Sequence, residues 1–223
     1  MATFFTPRLL FLHVPKTGGT WFTGAAEHAG VATVRPEATP GAPVAVRDHA
    51  NLIQMSARSQ GRLTCAFVRH PLDWWRSYWG YRMRDGWTDD PLDSATASDD
   101  FDEFARAVVE RFPGYASALF THYLAAPRRR TDFVGRFENL VDDACSMLRA
   151  AGERFDERRL REHPPENVND YELAPALYRR GTAHQLARAE HAAIEAFYAS
   201  EPLPRALIRR RGYADRAGSR SPA

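Results

Sequence analysis

A chain of 223 residues, 44 % hydrophobic and 26 % charged, has the make-up of one globular domain and excludes the collagenous, low-complexity and disordered classes. Its 30 basic and 28 acidic side chains leave a net charge of only +2, so an anion site has to be built locally rather than by the field of the whole molecule. Cys65 and Cys145 lie far apart in apolar surroundings without ligand spacing, which predicts buried free thiols and is compatible with a reducing compartment.

In chain order, Leu9 to Val14 is a nearly continuous apolar run ended by Pro15, the pattern of a buried parallel strand. It falls short of the roughly 20 apolar residues of a membrane span, and so does every other stretch. The segment before it lacks a basic leader and a small-residue cleavage site, so a cytoplasmic location is the expectation. Thr20 to Ala29 reads as a helix closed by Gly30, and the proline-rich Arg35 to Val46 as a loop. Asn51 to Ser59 reads as a short helix and Leu63 to Val68 as a second buried strand. Pro71 then opens a long helix to about Arg84. Asp85 to Asp100, with six aspartates, reads as an exposed loop. Helices follow around Phe101 to Phe112 and Tyr115 to Ala125, then a third strand at Asp132 to Phe137 and a helix from about Asn139 to Ala151. Gln185 to Ser200 is a late amphipathic helix, and a frayed basic tail is expected over 209–223 after a single domain spanning 1–208. Strands alternating with helices predict an α/β fold with a central parallel sheet covered on both faces.

Lys16 is the only lysine, the other basic side chains being arginine. Arginine is a permanently charged planar fork and lysine a slim point charge, so a solitary lysine suits one small anionic oxygen. It sits in Pro15-Lys16-Thr17-Gly18-Gly19-Thr20, a strand-to-helix turn that aims backbone N–H groups and a helix dipole at one point. The glycines admit a close ligand, and the threonines add hydroxyls. This is not the Walker order, in which lysine follows the last glycine. An ordinary Gly-rich connection is the alternative. The second turn, Arg69-His70-Pro71-Leu72-Asp73-Trp74-Trp75-Arg76-Ser77, places Arg69 where the second strand ends, the usual ligand side of an open α/β sheet. Arg69 and Ser77 can converge on a second anion; otherwise Arg69 is a surface partner of Asp73.

Together, PKTGGTW and FVRHPLDWWRSYW resemble the two nucleotide-binding motifs of sulfotransferases that use 3'-phosphoadenosine 5'-phosphosulfate (PAPS), in the right order and each after a predicted strand. FVGRFENL (Phe133 to Leu140) is similar to the strand-and-acidic-helix segment of those enzymes. The resemblance implies a three-layer α/β/α, P-loop-NTPase-like sulfotransferase fold and PAPS as co-substrate without a required metal. It also implies that Lys16 touches the oxygen bridging phosphorus and sulfur, and that Thr17, Gly18, Gly19 and Thr20 bind the 5'-phosphate. Trp21 would lie near the adenine, with Phe137 as a second aromatic there, and Arg69 with Ser77 would hold the 3'-phosphate. Arg180, in Tyr178-Arg179-Arg180-Gly181, resembles the residue completing that phosphate site, although the continuation TAHQL departs from the family pattern.

Sulfuryl transfer needs a base for the acceptor hydroxyl. His49, in VRDHANL 20 residues before Arg69, lies where cytosolic members carry theirs, with Arg47 and Asp48 replacing the usual Lys-Thr and Ala50-Asn51 the Leu-Pro. Glu27 is the reserve base, because other branches use a glutamate. His13 and His70 are expected in orienting or packing roles, and Arg128-Arg129-Arg130 as a solvated loop or an acceptor contact. The aromatics Trp74, Trp75, Tyr78, Trp79, Tyr81 and Trp87 are either core or acceptor-stacking. A magnesium-dependent phosphotransferase and a non-catalytic nucleotide-binding scaffold are the competing readings. The hydroxyl acceptor and the oligomeric state are not legible, and no nucleic-acid partner is expected.

Overall fold

The computed structural model describes residues 3–36, 49–168 and 176–208. Most of the proline-rich loop, Arg47 and Asp48 beside the candidate base, and the 209–223 tail lie outside these residues.

The described residues form a mixed α/β domain. Its four-stranded sheet runs β1 (Phe4–Phe5), β2 (Leu9–Leu12), β3 (Leu63–Val68) and β6 (Phe133–Arg136) in that spatial order. β1 is antiparallel to β2, whereas β2, β3 and β6 are mutually parallel, with Phe11 opposite Cys65 and Cys65 opposite Phe133. A strand exposes alternate residues to opposite faces, and both faces are buried here. Leu10, Leu12, Ala66 and Val68 enter one core with helices α2 (Pro71–Asp85), α3 (Pro91–Thr96), α4 (Phe101–Arg111), α5 (Tyr115–Leu124), α8 (Arg180–Ala189) and α9 (His191–Tyr198). Leu9, Phe11, Cys65 and Phe67 enter the other with α1 (Gly19–His28), α6 (Leu140–Ala150) and α7 (Glu157–Glu162). Burial on both sides explains why the strands read as continuous apolar runs. Both cysteines are buried free thiols. No helix among the described residues is long and apolar enough to cross a membrane.

Three expected elements differ. Asn51 to Ser59 is a series of turns rather than a helix. Asn51 and Gln54 close a reciprocal box of the kind that starts helices, each side-chain oxygen accepting from the other's backbone N–H at 2.9 Å. Helix-like pairs follow from Met55 N to Asn51 O (3.0 Å) and from Ser59 N to Met55 O (2.9 Å) without joining into a continuous helix. The segment 85–100 is not simply an exposed loop, because it contains α3, capped by Asp90. There Asp93 is fully buried, accepting from the Tyr78 hydroxyl at 2.6 Å and from Thr88 N and Oγ1, and pairing with Arg82 at 2.9 Å. Gln185 to Ser200 is two helices that meet at Glu190. Two further elements, β4 (Ala125–Ala126) and β5 (Arg129–Arg130), form a short hairpin that holds part of the arginine run, and Arg129 donates to Ser59 Oγ at 2.6 Å.

Glu190 breaks the late helix because its carboxylate serves another one. Fully buried, it accepts from Trp75 Nε1 (3.1 Å), Ala116 N (3.0 Å), Ser117 N (2.8 Å) and Ser117 Oγ (2.7 Å), satisfying orphan donors in the first turn of α5. Glu190→Gln turns one acceptor into a donor facing donors. The expected loss is about 2 kcal/mol, a fall of roughly 4–8 °C in Tm for a chain of this size. Thermal unfolding followed by circular dichroism measures it, and an unchanged Tm would refute the role.

Candidate functional site

The two Gly- and Pro-marked turns lie side by side at the carboxyl ends of neighbouring parallel strands. The first leaves β2 and enters α1; the second leaves β3 and enters α2. Two contacts tie them together: Trp74 Nε1 donates to Pro15 O at 2.9 Å, and Arg69 Nη1 donates to Lys16 O at 3.4 Å. In a trans peptide the N–H points opposite to the C=O. Drawing the Pro15 and Lys16 carbonyls toward the second turn therefore turns the amides of Lys16 and Thr17 the other way.

Lys16 (φ 64°) and Gly18 (φ 88°) both adopt left-handed backbone. Gly18 is the N-cap of α1, which has no side-chain cap and no acidic residue in its first turn, so the positive helix end is not neutralised locally. A Cβ on Gly18 would lie 2.9 Å from Leu140, and one on Gly19 would lie 2.1 Å from the buried His13 ring. The turn is packed on both sides. Thr17 is fully buried, and its hydroxyl donates to Val14 O at 2.9 Å, so it shapes the turn and offers a ligand its backbone N–H. Thr20, half-exposed in the first turn of α1, retains a hydroxyl near the helix end.

Burial pulls the Lys16 ammonium down to about 7, with Arg84 pushing the same way, Asp85 opposing, and Arg69 and Arg82 adding to the depression. Its Nζ sits 3.5 Å from the centroid of the Tyr81 ring. Tyr81 stands one helical turn beyond Ser77 and two beyond Asp73, so one face of α2 runs beside the first turn.

Arg69 is buried rather than a surface residue. Its Nε and Nη2 both lie 2.5 Å from Asp73 Oδ2, and its guanidinium stacks on Phe137 at 3.8 Å. Three of its five N–H groups are thus engaged within the protein, which leaves two for a ligand. Ser77 is buried on the same helix. His70 caps α2 by accepting from Leu72 N at 3.3 Å, and burial pushes its pKa down to about 4, which makes it a neutral structural histidine. Glu138 holds this cap, accepting from His70 N at 2.8 Å and from the Tyr198 hydroxyl at 2.9 Å.

His49 is brought to the tip of β2. Its Nδ1 lies 3.1 Å from His13 O, and the two imidazoles are 4.7 Å apart. A carbonyl can only accept, so Nδ1 carries a proton, and Nε2 is the ring nitrogen left to exchange one with a ligand. Glu27 is elsewhere. It is in the last turn of α1, roughly 12 Å along the axis from Gly19, bonded to Thr33 Oγ1 at 2.8 Å and paired with Arg35 at 3.5 Å. Trp21 is buried on the side of α1 that faces residues after α7, and its indole N–H donates to His163 O at 3.3 Å. Arg180 is the exposed first residue of α8; two residues earlier, the Tyr178 hydroxyl donates to Leu72 O at 2.6 Å.

The geometry therefore gathers Lys16, Gly18, Gly19, Arg69 and His49 around two adjoining strand ends. Tyr81 and Glu138 belong to the site through contacts that spacing does not reveal, although Tyr81's position four residues after Ser77 marks its helix face. Phe137, expected near the adenine, lies against the Arg69 guanidinium. Trp74, Trp75 and Trp79 are buried core residues. Among the described residues no group of three or more His, Cys, Asp or Glu side chains is placed to hold a metal ion. No family model and no curated protein matches the chain.

Proposed function

We propose that this chain is a PAPS-dependent sulfotransferase with the P-loop-like sulfotransferase fold, transferring a sulfuryl group to an acceptor hydroxyl. The observation that carries the reading is the pairing of the two turns: a Gly-rich helix start bearing the lone lysine is tied to a second strand end bearing a half-engaged arginine. Two anion-binding elements at neighbouring strand ends suit a nucleotide with two separate phosphate groups.

In this mechanism the first-turn amides of α1 hold the 5'-phosphosulfate, and the two remaining N–H groups of Arg69 hold the 3'-phosphate together with Ser77. His49 Nε2 takes the acceptor proton as the hydroxyl oxygen attacks sulfur. Lys16 neutralises the phosphate oxygen as the S–O bond breaks. Donors already in place at the developing charge require no reorganisation during the step.

Titration calorimetry with 3',5'-adenosine bisphosphate tests the nucleotide assignment. Lys16, held near 7 in the free protein, is mostly neutral at pH 8, and a bound phosphate recharges it. Binding should therefore take up close to one proton at pH 8, read from the dependence of the heat on buffer ionisation enthalpy. Affinity should fall by up to tenfold per pH unit above about 7, because the ligand selects the protonated form. Lys16→Met should abolish the proton uptake, and Arg69→Ala should weaken binding in a variant shown to be folded. Absence of binding, or binding indifferent to Arg69, would overturn the assignment. Binding without transfer from PAPS to any of a broad panel of hydroxyl compounds would favour a non-catalytic scaffold.

A further inference from the structure

Lys16 has a close partner that the mechanism does not use. Its left-handed backbone (φ 64°) is a conformation that residues other than glycine adopt rarely and keep only when their surroundings hold them. The side chain ends on an aromatic face, with Nζ 3.5 Å from the Tyr81 centroid. Arg82 and Arg84 lie over the same ring at 5.1 and 5.6 Å, but each is held by a carboxylate, Arg82 by Asp93 at 2.9 Å and Arg84 by Asp85 at 2.6 Å. Lys16 thus takes the nearest place on a ring whose other cations are tethered elsewhere.

We propose that Tyr81 is a positioning residue for Lys16, its ring face seating the ammonium beside the two strand-to-helix turns. A carboxylate in that place would form an ion pair that any phosphate oxygen must break. A ring face attracts the cation through its quadrupole and leaves its charge intact, so an arriving anion meets an aimed ammonium. The groups facing Lys16 are Arg69 from the end of β3 and Tyr81, Arg82, Arg84 and Asp85 from α2. The seat itself stands on geometry alone; only its catalytic consequence rests on the sulfotransferase reading.

Because Lys16 is the only lysine, a chain labelled with 13C at lysine Cε gives a single resonance to follow by NMR. In the wild type the ε-methylene protons should be shifted upfield by the ring current, should show an Overhauser contact to the Tyr81 ring protons, and should titrate with a midpoint of about 7. Tyr81→Phe keeps the ring and should keep all three signatures. Tyr81→Leu keeps the apolar cover and removes the π face. Its ε-methylene should return to the position of free lysine, and the midpoint should drop by about half a unit to one unit, since the charged form loses its support. Under the functional reading, kcat should fall about tenfold in Tyr81→Leu with little change in donor KM, and Tyr81→Phe should restore it. An unshifted ε-methylene in the folded wild type, or a folded Tyr81→Leu protein with the wild-type spectrum, overturns the proposal. If the seat is present but no hydroxyl is sulfated, the functional reading fails and the seat stands; sulfation with an unshifted lysine is the reverse.

Discussion

His49→Ala is expected to lower kcat for sulfuryl transfer by about 10²–10⁴ while leaving nucleotide affinity within a few-fold of wild type. The magnitude is that of a positioned general base, and the split follows from where His49 sits. It is anchored to the strand tip through His13 O at 3.1 Å, whereas the proposed phosphate contacts come from α1, Lys16 and Arg69. His49→Asn sharpens the test. Its side-chain amide can replace the Nδ1–H donor to His13 O, yet it has no basic atom at the Nε2 position. The asparagine variant should therefore stay folded and be as slow as the alanine variant. Glu27→Gln should change kcat less than threefold, because Glu27 is roughly 12 Å along the helix from the loop and engaged with Thr33 and Arg35. A folded His49→Asn enzyme with near wild-type kcat would place the base elsewhere.

Lys16→Arg should cost about 10²–10³ in kcat, comparable to deleting one preorganised donor at a developing charge. Both side chains are cations, so the loss has to come from shape and placement. The lysine is half-buried against Tyr81 among Arg69, Arg82 and Arg84. A fourth guanidinium there is wider, planar and permanently charged, and cannot bring one compact charge to a single oxygen. The pH behaviour should change with the rate. Proton uptake on nucleotide binding at pH 8, expected for wild type, should vanish in Lys16→Arg because arginine never gives up its proton. Single-turnover sulfuryl transfer and calorimetry on one preparation measure both effects. A Lys16→Arg enzyme with the wild-type rate would remove Lys16 from the chemistry.

The parts legible in the sequence are those whose physics is local. Two apolar runs ending in Pro15 and Arg69 announce buried strands, and glycine or proline after each announces a turn into a helix. Both turns stand where spacing puts them. Their partners come from far along the chain: Trp74 reaches Pro15 across 59 positions and Glu138 reaches His70 across 68. Spacing cannot report such contacts. The segment 85–100 shows a second limit. Six aspartates look solvated, yet Asp93 is fully buried because Tyr78, Thr88 and Arg82 satisfy it, and composition is blind to such pairing. Glu190 shows a third. It lies in a good amphipathic pattern but ends a helix there, since its carboxylate is worth more at the start of α5 than on a solvated face. Of the candidate site, the backbone cradle and its charges were legible and Phe137 was already a candidate, while the ring under Lys16, Tyr81, was hidden among aromatics that also read as core.

The contact from Tyr198 to Glu138 sets an order of events during synthesis. The cap on α2 is closed by Glu138, and Glu138 is in turn held by the last residue of α9, whose ring also packs 5.1 Å from His70. The ribosome delivers the Gly-rich turn first and Tyr198 nearly 180 residues later. A nascent chain released from the tunnel only as far as β6 holds both turns but not the tyrosine that closes the second cap. The pair of turns is therefore completed only after Tyr198 has emerged, by contacts of long sequence separation, the slow class in folding.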